Sequence, residues 1–257
     1  MNFDCLDFNK AKANENYIII YKDYRITIFN EFLFRIEHKS EQFLDYPTQS
    51  IWYRNFSSCS FDYEIKDEII TITCNNTQLV VNTVDFVKSY IILNNKKYKL
   101  NNKYNLKGTT RTLDMSPEDY IHYDDPLTNE RYDIHYIDKR VLDNGVCSKK
   151  GVSIIDDSKS LIIEPDGTLS KNRLLSDIYV FAFQTNYKEA VKALYSLTGK
   201  PPMLPKYVFG NWWSRYWAYS DEEYLRLLDK FKEKNIPLTV ATIDIDWYYV
   251  YVEKEFN

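Results

Sequence analysis

Between Tyr17 and Phe183 apolar and polar positions alternate in short runs, each rich in β-branched and aromatic residues and each closed by a polar turn. A period of two is the mark of a strand with one covered face. The runs predict strands over Tyr17–Tyr21, Arg25–Phe29, Phe32–Ile36, Phe61–Ile65 and Ile69–Thr73, then over Leu79–Asn82, Ser89–Leu93, Val152–Ile155, Ser160–Ile163 and Ile178–Phe183. In the third run Phe32, Phe34 and Ile36 share one face while Leu33, Arg35 and Glu37 share the other, the pattern of a half-buried antiparallel strand. Asn94-Asn95 and Asp166-Gly167 supply turns. So many short strands with no helix between them predict a sandwich of two antiparallel sheets.

After Asn186 the period lengthens. Tyr187, Ala190, Val191, Leu194 and Tyr195 fall at helical spacing, with Asn186 placed to cap the start and Gly199 just past the end. Pro201, Pro202 and Pro205 then remove amide donors and fix the backbone, so a first domain is expected over residues 1–200 and a second from 201 to 257. Within the second, Tyr207–Trp212 reads as a strand, and Ser220 with Glu223 forms a capping box that opens a helix striped by Tyr224, Leu227, Leu228 and Phe231. Asn235 and Pro237 end that helix. The apolar run Leu238–Ile243 reads as a parallel strand covered on both faces. The result is one βαβ unit, and because two parallel strands do not bury themselves, the expectation is the opening of a longer α/β protein.

Composition narrows the classes of function. Tyr numbers 23 and Gly only 6, which favours pleated strands and flat contact surfaces over glycine-rich phosphate loops. The formal net charge is −4, with Lys and Arg scattered singly, so no nucleic-acid footprint is present and a neutral substrate fits better. Cys5, Cys59, Cys74 and Cys147 show no CxxC spacing and no neighbouring His, and they read as reduced packing residues. Asp4 and Asp7 stand where a signal peptide needs a basic start, and no run is long enough to span a membrane, so a cytoplasmic location is expected. His38, His122 and His135 share no spacing and read as surface or satisfied histidines.

Two segments carry candidate chemistry. Asp244-Ile245-Asp246-Trp247 follows the second parallel strand, and in α/β barrels that end of a strand faces the active site. An Asp-x-Asp is also an ordinary loop start or helix cap, but here the preceding strand is apolar and the other strand runs into Trp212, Trp213, Tyr216, Trp217 and Tyr219 around Arg215. Aromatic faces stack on the C–H faces of sugar rings and carboxylates accept paired hydroxyl hydrogen bonds, so the combination suits a saccharide. Packing of the barrel core is the competing role for the tryptophans, and Trp212 is expected to take it. Asp244 and Asp246 do not form a catalytic pair, because residues two apart on one strand approach the sugar from the same side whereas an acid and a nucleophile flank the scissile bond.

Gly210-Asn211-Trp212-Trp213-Ser214-Arg215-Tyr216-Trp217, the Ser220-capped helix, and Ile236-Pro237-Leu238 leading to Asp244-Ile245-Asp246-Trp247 resemble the opening of the catalytic barrel of glycoside hydrolase family 31, which includes α-glucosidases and α-xylosidases. Upstream, Gly108–Asp114, Leu142–Gly151, Asp156-Asp157-Ser158, Phe43–Gln49 and Arg54-Asn55-Phe56 resemble segments of that family's N-terminal sandwich. The resemblance implies a mainly β chain: an N-terminal antiparallel β-sandwich of the galactose-mutarotase type, followed by the first βαβ unit of a (β/α)8 barrel. It also implies a retaining α-glycosidase that hydrolyses terminal α-linked sugars from oligosaccharides through a covalent intermediate, with no cofactor and no metal.

In the family the position matching Asp244 binds hydroxyls of the sugar in the cleaved subsite, and that matching Ile245 lines the same pocket. Tyr216 and Trp217, beside Arg215, resemble pocket-wall positions, while Asp246 and Trp247 match the motif without an assigned role. The nucleophile and the acid/base are aspartates on later barrel strands, beyond residue 257. Tyr248 stands where close relatives often have His, which leaves linkage and sugar open, as is homo-oligomerisation. The competing reading is a carbohydrate-binding sandwich with no catalytic role.

Overall fold

In the computed structural model, residues 7–108, 120–135 and 142–244 are described. In chain order the strands of the first part are β1 (Ile18–Tyr21), β2 (Tyr24–Asn30), β3 (Leu33–Lys39), β4 (Asp62–Lys66), β5 (Ile69–Cys74), β6 (Thr77–Asn82), β7 (Tyr90–Leu93) and β8 (Lys96–Lys99). They are followed by β9 (Asn105–Lys107), β10 (Tyr120–Asp124), β11 (Arg131–His135), β12 (Asn144–Ser148), β13 (Ser153–Asp156), β14 (Ile162–Ile163), β15 (Leu169–Ser170) and β16 (Leu174–Phe181). Then come α1 (Tyr187–Thr198), β17 (Trp212–Trp213), α2 (Asp221–Glu233) and β18 (Val240–Ala241). The chain divides into two units, Met1–Lys200 and Pro201–Asn257.

Two antiparallel five-stranded sheets form the core of the first unit, beside the two-stranded pairs β10-β11, β12-β9 and β14-β15. One has the order β1-β2-β3-β16-β13, and the other is the meander β4-β5-β6-β7-β8. Alternation along each strand sends Ile26, Ile28, Phe34, Ile36 and Val180 of the first sheet against Ile70, Ile72, Leu79, Val81 and Ile91 of the second, all buried in one core. Side chains of this size contribute about 1.5–3 kcal/mol each when fully buried, so this interior dominates the stability of the unit. The strands predicted before Asn186 are all present, most of them shifted at their ends by a residue or two. Strands β8, β9, β10, β11, β12 and β15 lie outside the predicted set: Lys96–Lys99 and Arg131–His135 carry too many charges to display an apolar alternation.

The half-buried reading of β3 is corrected, because the strand is covered on both faces. Its second face, with that of its neighbours, packs Phe29, Leu33, Tyr179 and Phe181 against Ala193 and Leu197 of α1. Further along the same face Arg25, Arg35, Glu37 and Asp177 are buried beneath the segment that carries Leu44, Tyr46 and Arg54. Arg35 forks onto Asp177, with Nε donating at 2.8 Å and Nη2 at 2.6 Å, and lies 3.2 Å from Glu37. Arg25 donates to both oxygens of Glu37, to Asp45 at 2.8 Å and to the carbonyl of Leu44 at 2.8 Å. Arg54 donates to the hydroxyl of Tyr179 and to the carbonyl of Tyr46, each at 2.8 Å. A polar letter in a period-two pattern reads as solvent-facing, yet these charges are inside because each finds a bidentate or multiple partner, the condition under which a buried charge is tolerated.

The helix α1 is capped as expected: Asn186 accepts from the amide of Glu189, and Gly199 adopts φ +87° past the end. His38 stacks on Tyr24 with ring centroids 4.4 Å apart, a packing role. Among the described residues no helix is long and apolar enough to cross a membrane, and no group of three or more His, Cys, Asp or Glu is placed to hold a metal ion.

Candidate functional site

The second unit builds its site on a two-stranded parallel sheet. Trp212 pairs with Val240 and Trp213 with Ala241, while the amide of Thr239 donates to the carbonyl of Asn211 at 2.9 Å and that of Thr242 to the carbonyl of Trp213 at 2.9 Å. The predicted strand Tyr207–Trp212 is corrected. Lys206–Phe209 is a single 3-10 turn, because Pro205 lacks an amide and fixes its own φ near −59°, and the amide of Val208 closes back onto its carbonyl at 3.0 Å. Leu238–Ile243 likewise pairs only over Val240–Ala241, and Ile243 is 62% exposed, so the described strand is not covered on both faces.

A glycine sets the approach of the two strands. A Cβ at Gly210 would stand 2.3 Å from Cγ2 and Oγ1 of Thr239, so only glycine lets this backbone pass the start of β18. The side chain of Asn211 donates to the carbonyl of Pro237 at 2.8 Å and fastens the same junction. Because β17 and β18 are parallel, the segments that follow them leave from the same end of the sheet. That end carries Arg215, Tyr216 and Trp217 after β17, and Asp244 after β18.

All four of these side chains are exposed, Tyr216 at 78% and Trp217 at 52%. Arg215 lies over the ring of Trp217, 4.5 Å from its centroid, a cation–π arrangement that restrains the half-exposed indole. Asp244 has no ion-pair partner among the described residues, so its carboxylate is available to accept hydroxyl hydrogen bonds. Ile245, Asp246 and Trp247 lie outside the described residues, as do Tyr248 and Cys5.

The tryptophan expected in the core is the wrong one of the pair. Trp212 is 52% exposed and its indole donates to the carbonyl of Val208 at 2.9 Å, while Trp213 turns onto α2 and meets Phe231 edge-on at 5.1 Å. In a strand of two residues the faces are set by the helix that packs beneath, and the stripe containing Phe231 selects Trp213. One supporting residue was hidden in that stripe. Tyr224 reads as an apolar position, but its hydroxyl donates to the carbonyl of Thr242 at 2.8 Å and its ring tilts against Tyr219 at 5.4 Å. Partial burial pushes its phenol up. Tyr224 thus holds the backbone two residues before Asp244, and the signal for it was a lone hydroxyl among apolar positions at helical spacing.

Comparison with known proteins adds an independent line. Residues 201–257 match the model of the glycosyl hydrolases family 31 TIM-barrel domain. Over 114 residues, 40% of the chain, the sequence is 32% identical to an α-xylosidase of Saccharolobus solfataricus, and over 71 residues, 28% of the chain, it is 38% identical to α-glucosidase 2 of Bacillus thermoamyloliquefaciens. Its last 57 residues are thus similar to the barrel domain of glycoside hydrolase family 31.

Two solved family 31 structures share its fold. A dextranase of Flavobacterium johnsoniae complexed with glucose superposes with a TM-score of 0.58 over 88% of the chain at 16% identity, and an α-xylosidase of Xanthomonas citri with 0.51 over 90% at 11% identity. The chain spans only part of each relative: the matches cover 14% and 9% of the two enzymes compared by sequence, and 32% and 45% of the two compared by structure. The parallel pair β17 and β18 lies within the residues that the barrel-domain model matches.

Proposed function

We propose that the protein of which this chain is part is an exo-acting retaining α-glycosidase that removes terminal α-linked sugars from oligosaccharides, and that residues 201–257 bind the sugar rather than cleave it. One observation supports this reading above others: parallel pairing of β17 with β18 brings an aromatic face, Trp217 backed by Arg215, and an unpaired carboxylate, Asp244, to one end of the sheet. An aromatic face and a carboxylate are the two contacts by which a neutral pyranose is held, one on its C–H face and one on its hydroxyls. Tyr216, and by their place in the sequence motif Ile245, Asp246 and Trp247, are assigned to binding the same sugar in this reading. Asp244 and Asp246 follow one strand and so do not flank a glycosidic bond, and residues 1–257 by themselves leave an aryl α-glucoside uncut.

The test is made in the complete enzyme. Asp244→Ala removes charge-assisted hydrogen bonds worth about 1.5–3 kcal/mol, which lowers kcat/KM roughly 10- to 150-fold, and Asp246→Ala has the smaller effect. A larger loss from Asp246→Ala, or wild-type kcat/KM in Asp244→Ala, overturns the assignment.

A further inference from the structure

Cys59 and Cys74 meet at one end of the meander sheet. Cys74 is the last residue of β5 and is fully buried in the sandwich core, and Cys59 packs against that core from the irregular segment before β4. Asp62 of β4 faces Thr73 of β5, which brings the chain leading into β4 alongside the end of β5. Both thiols are free and belong to the same hydrophobic cluster. Cys59 also lines a surface cavity of about 710 Å³ with Ser58, Asn75 and Glu189, so a reagent in solution reaches one sulfur while the other stays behind it.

We propose that Cys59 and Cys74 are a disulfide-forming pair, closed by exchange with a small soluble disulfide of the glutathione class. Cys59 gives its proton to solvent and its sulfur attacks the reagent, expelling one thiolate and forming a mixed disulfide. Cys74 passes its proton to a leaving thiolate, attacks Cys59 Sγ and expels the second, so two protein thiols are oxidised and one small disulfide is reduced to two thiols. Cys59 is the entry point because it is the less buried member and its segment is irregular, which lets its sulfur move toward Cys74 without moving the sheet. Burial, with the neighbouring Glu31 carboxylate, holds both thiols above their ordinary values, Cys74 at about 12, so the reaction is slow at neutral pH and quickens as pH rises. The product staples the segment before β4 to the core strand β5, a slow structural lock rather than a rapid sensor.

Peptide mapping of the whole chain decides it. The folded protein is incubated with oxidised glutathione, remaining thiols are alkylated, and trypsin cuts at Arg54, Lys66 and Lys88, which puts the two cysteines on separate peptides. The expected result is one dithiothreitol-sensitive species joining Asn55–Lys66 to Asp67–Lys88, with Cys147 alkylated, and loss of that selectivity when the oxidation is run in guanidinium. Persistent glutathione on Cys59 with Cys74 alkylated, or a mixture of pairings in the folded protein, overturns the proposal.

Discussion

The sandwich and the strand-helix-strand unit that follows it are held together by different physics. In the first, two sheets and α1 remove whole side chains from water, with Ile26, Ile28, Phe34, Ile36, Ile70 and Ile72 fully buried. In the second, no described residue from Pro201 to Asp244 is buried; order there comes from local hydrogen bonds, among them the reciprocal bonds of Ser220 and Glu223 at the start of α2 and the left-handed Asn235 at its end. Caps are worth about 1 kcal/mol each and a buried aliphatic side chain about 1.5–3, so the same chain joins a region stabilised by tertiary burial to one stabilised by its own sequence.

Amide exchange on the isolated chain is the broadest test of that contrast. Amides of Ile26–Phe29, Leu33–Ile36 and Ile178–Phe181 should exchange at least roughly 10⁴-fold slower than those from Leu238 onward, because they open only with the whole sandwich, whose stability is on the order of 5–15 kcal/mol. Strong protection at Val240 in a demonstrated monomer would break the comparison. Next in size is the ion cluster on the outer face of β3. Asp177→Ala strands Arg35 in a dry interior and should cost about 3–5 kcal/mol of sandwich stability, read from the denaturant midpoint, with exchange at Thr242 unchanged.

Gly210→Ala should act in the opposite sense. It forces Thr239 away from the backbone it now touches, at about 1–3 kcal/mol, and should speed exchange at Thr239 and Thr242 without moving the sandwich midpoint. The smallest effect concerns Asp157, whose carboxyl is held above the usual carboxylate range by burial and by the charge of Asp177. A folded-state pKa above the unfolded one means the folded protein binds the proton more tightly, so this residue's contribution is fully present below the unfolded pKa of about 3.9 and is lost as pH rises through the higher folded value. Asp157→Asn should therefore gain on the wild type as pH is raised from 4 toward 7, and a gap that stays constant in urea titrations refutes it.

The sequence made the apolar framework legible because β2, β3, β5, β6, β7 and β16 each repeat every two residues, and α1 and α2 announce their caps. It hid what tertiary partners decide. Arg35 and Glu37 look solvent-facing until Asp177, far along the chain, is set beside them. Trp212 and Trp213 are chemically alike, and only Phe231 distinguishes them. Asp244 and the Arg215–Trp217 cluster were legible as residue types at the ends of two strands that the βαβ pattern makes parallel, and only their exact register, Trp212 with Val240, waited for the structure.

The pairing of β3 with β16 carries a consequence in time. Leu33 finds its partner in Phe181, and Arg35 its partner in Asp177, 142 positions later. At a synthesis rate of roughly 5–20 residues per second, the ribosome needs about 7–30 s to deliver the second strand after the first. During that interval the meander β4 to β8, whose neighbours are consecutive, can assemble as it emerges, while β3 presents an open edge and Arg35 lacks its partner Asp177. The newborn chain is thus most vulnerable to sticking to its neighbours through β3, and a chaperone that binds nascent strands has its clearest target there.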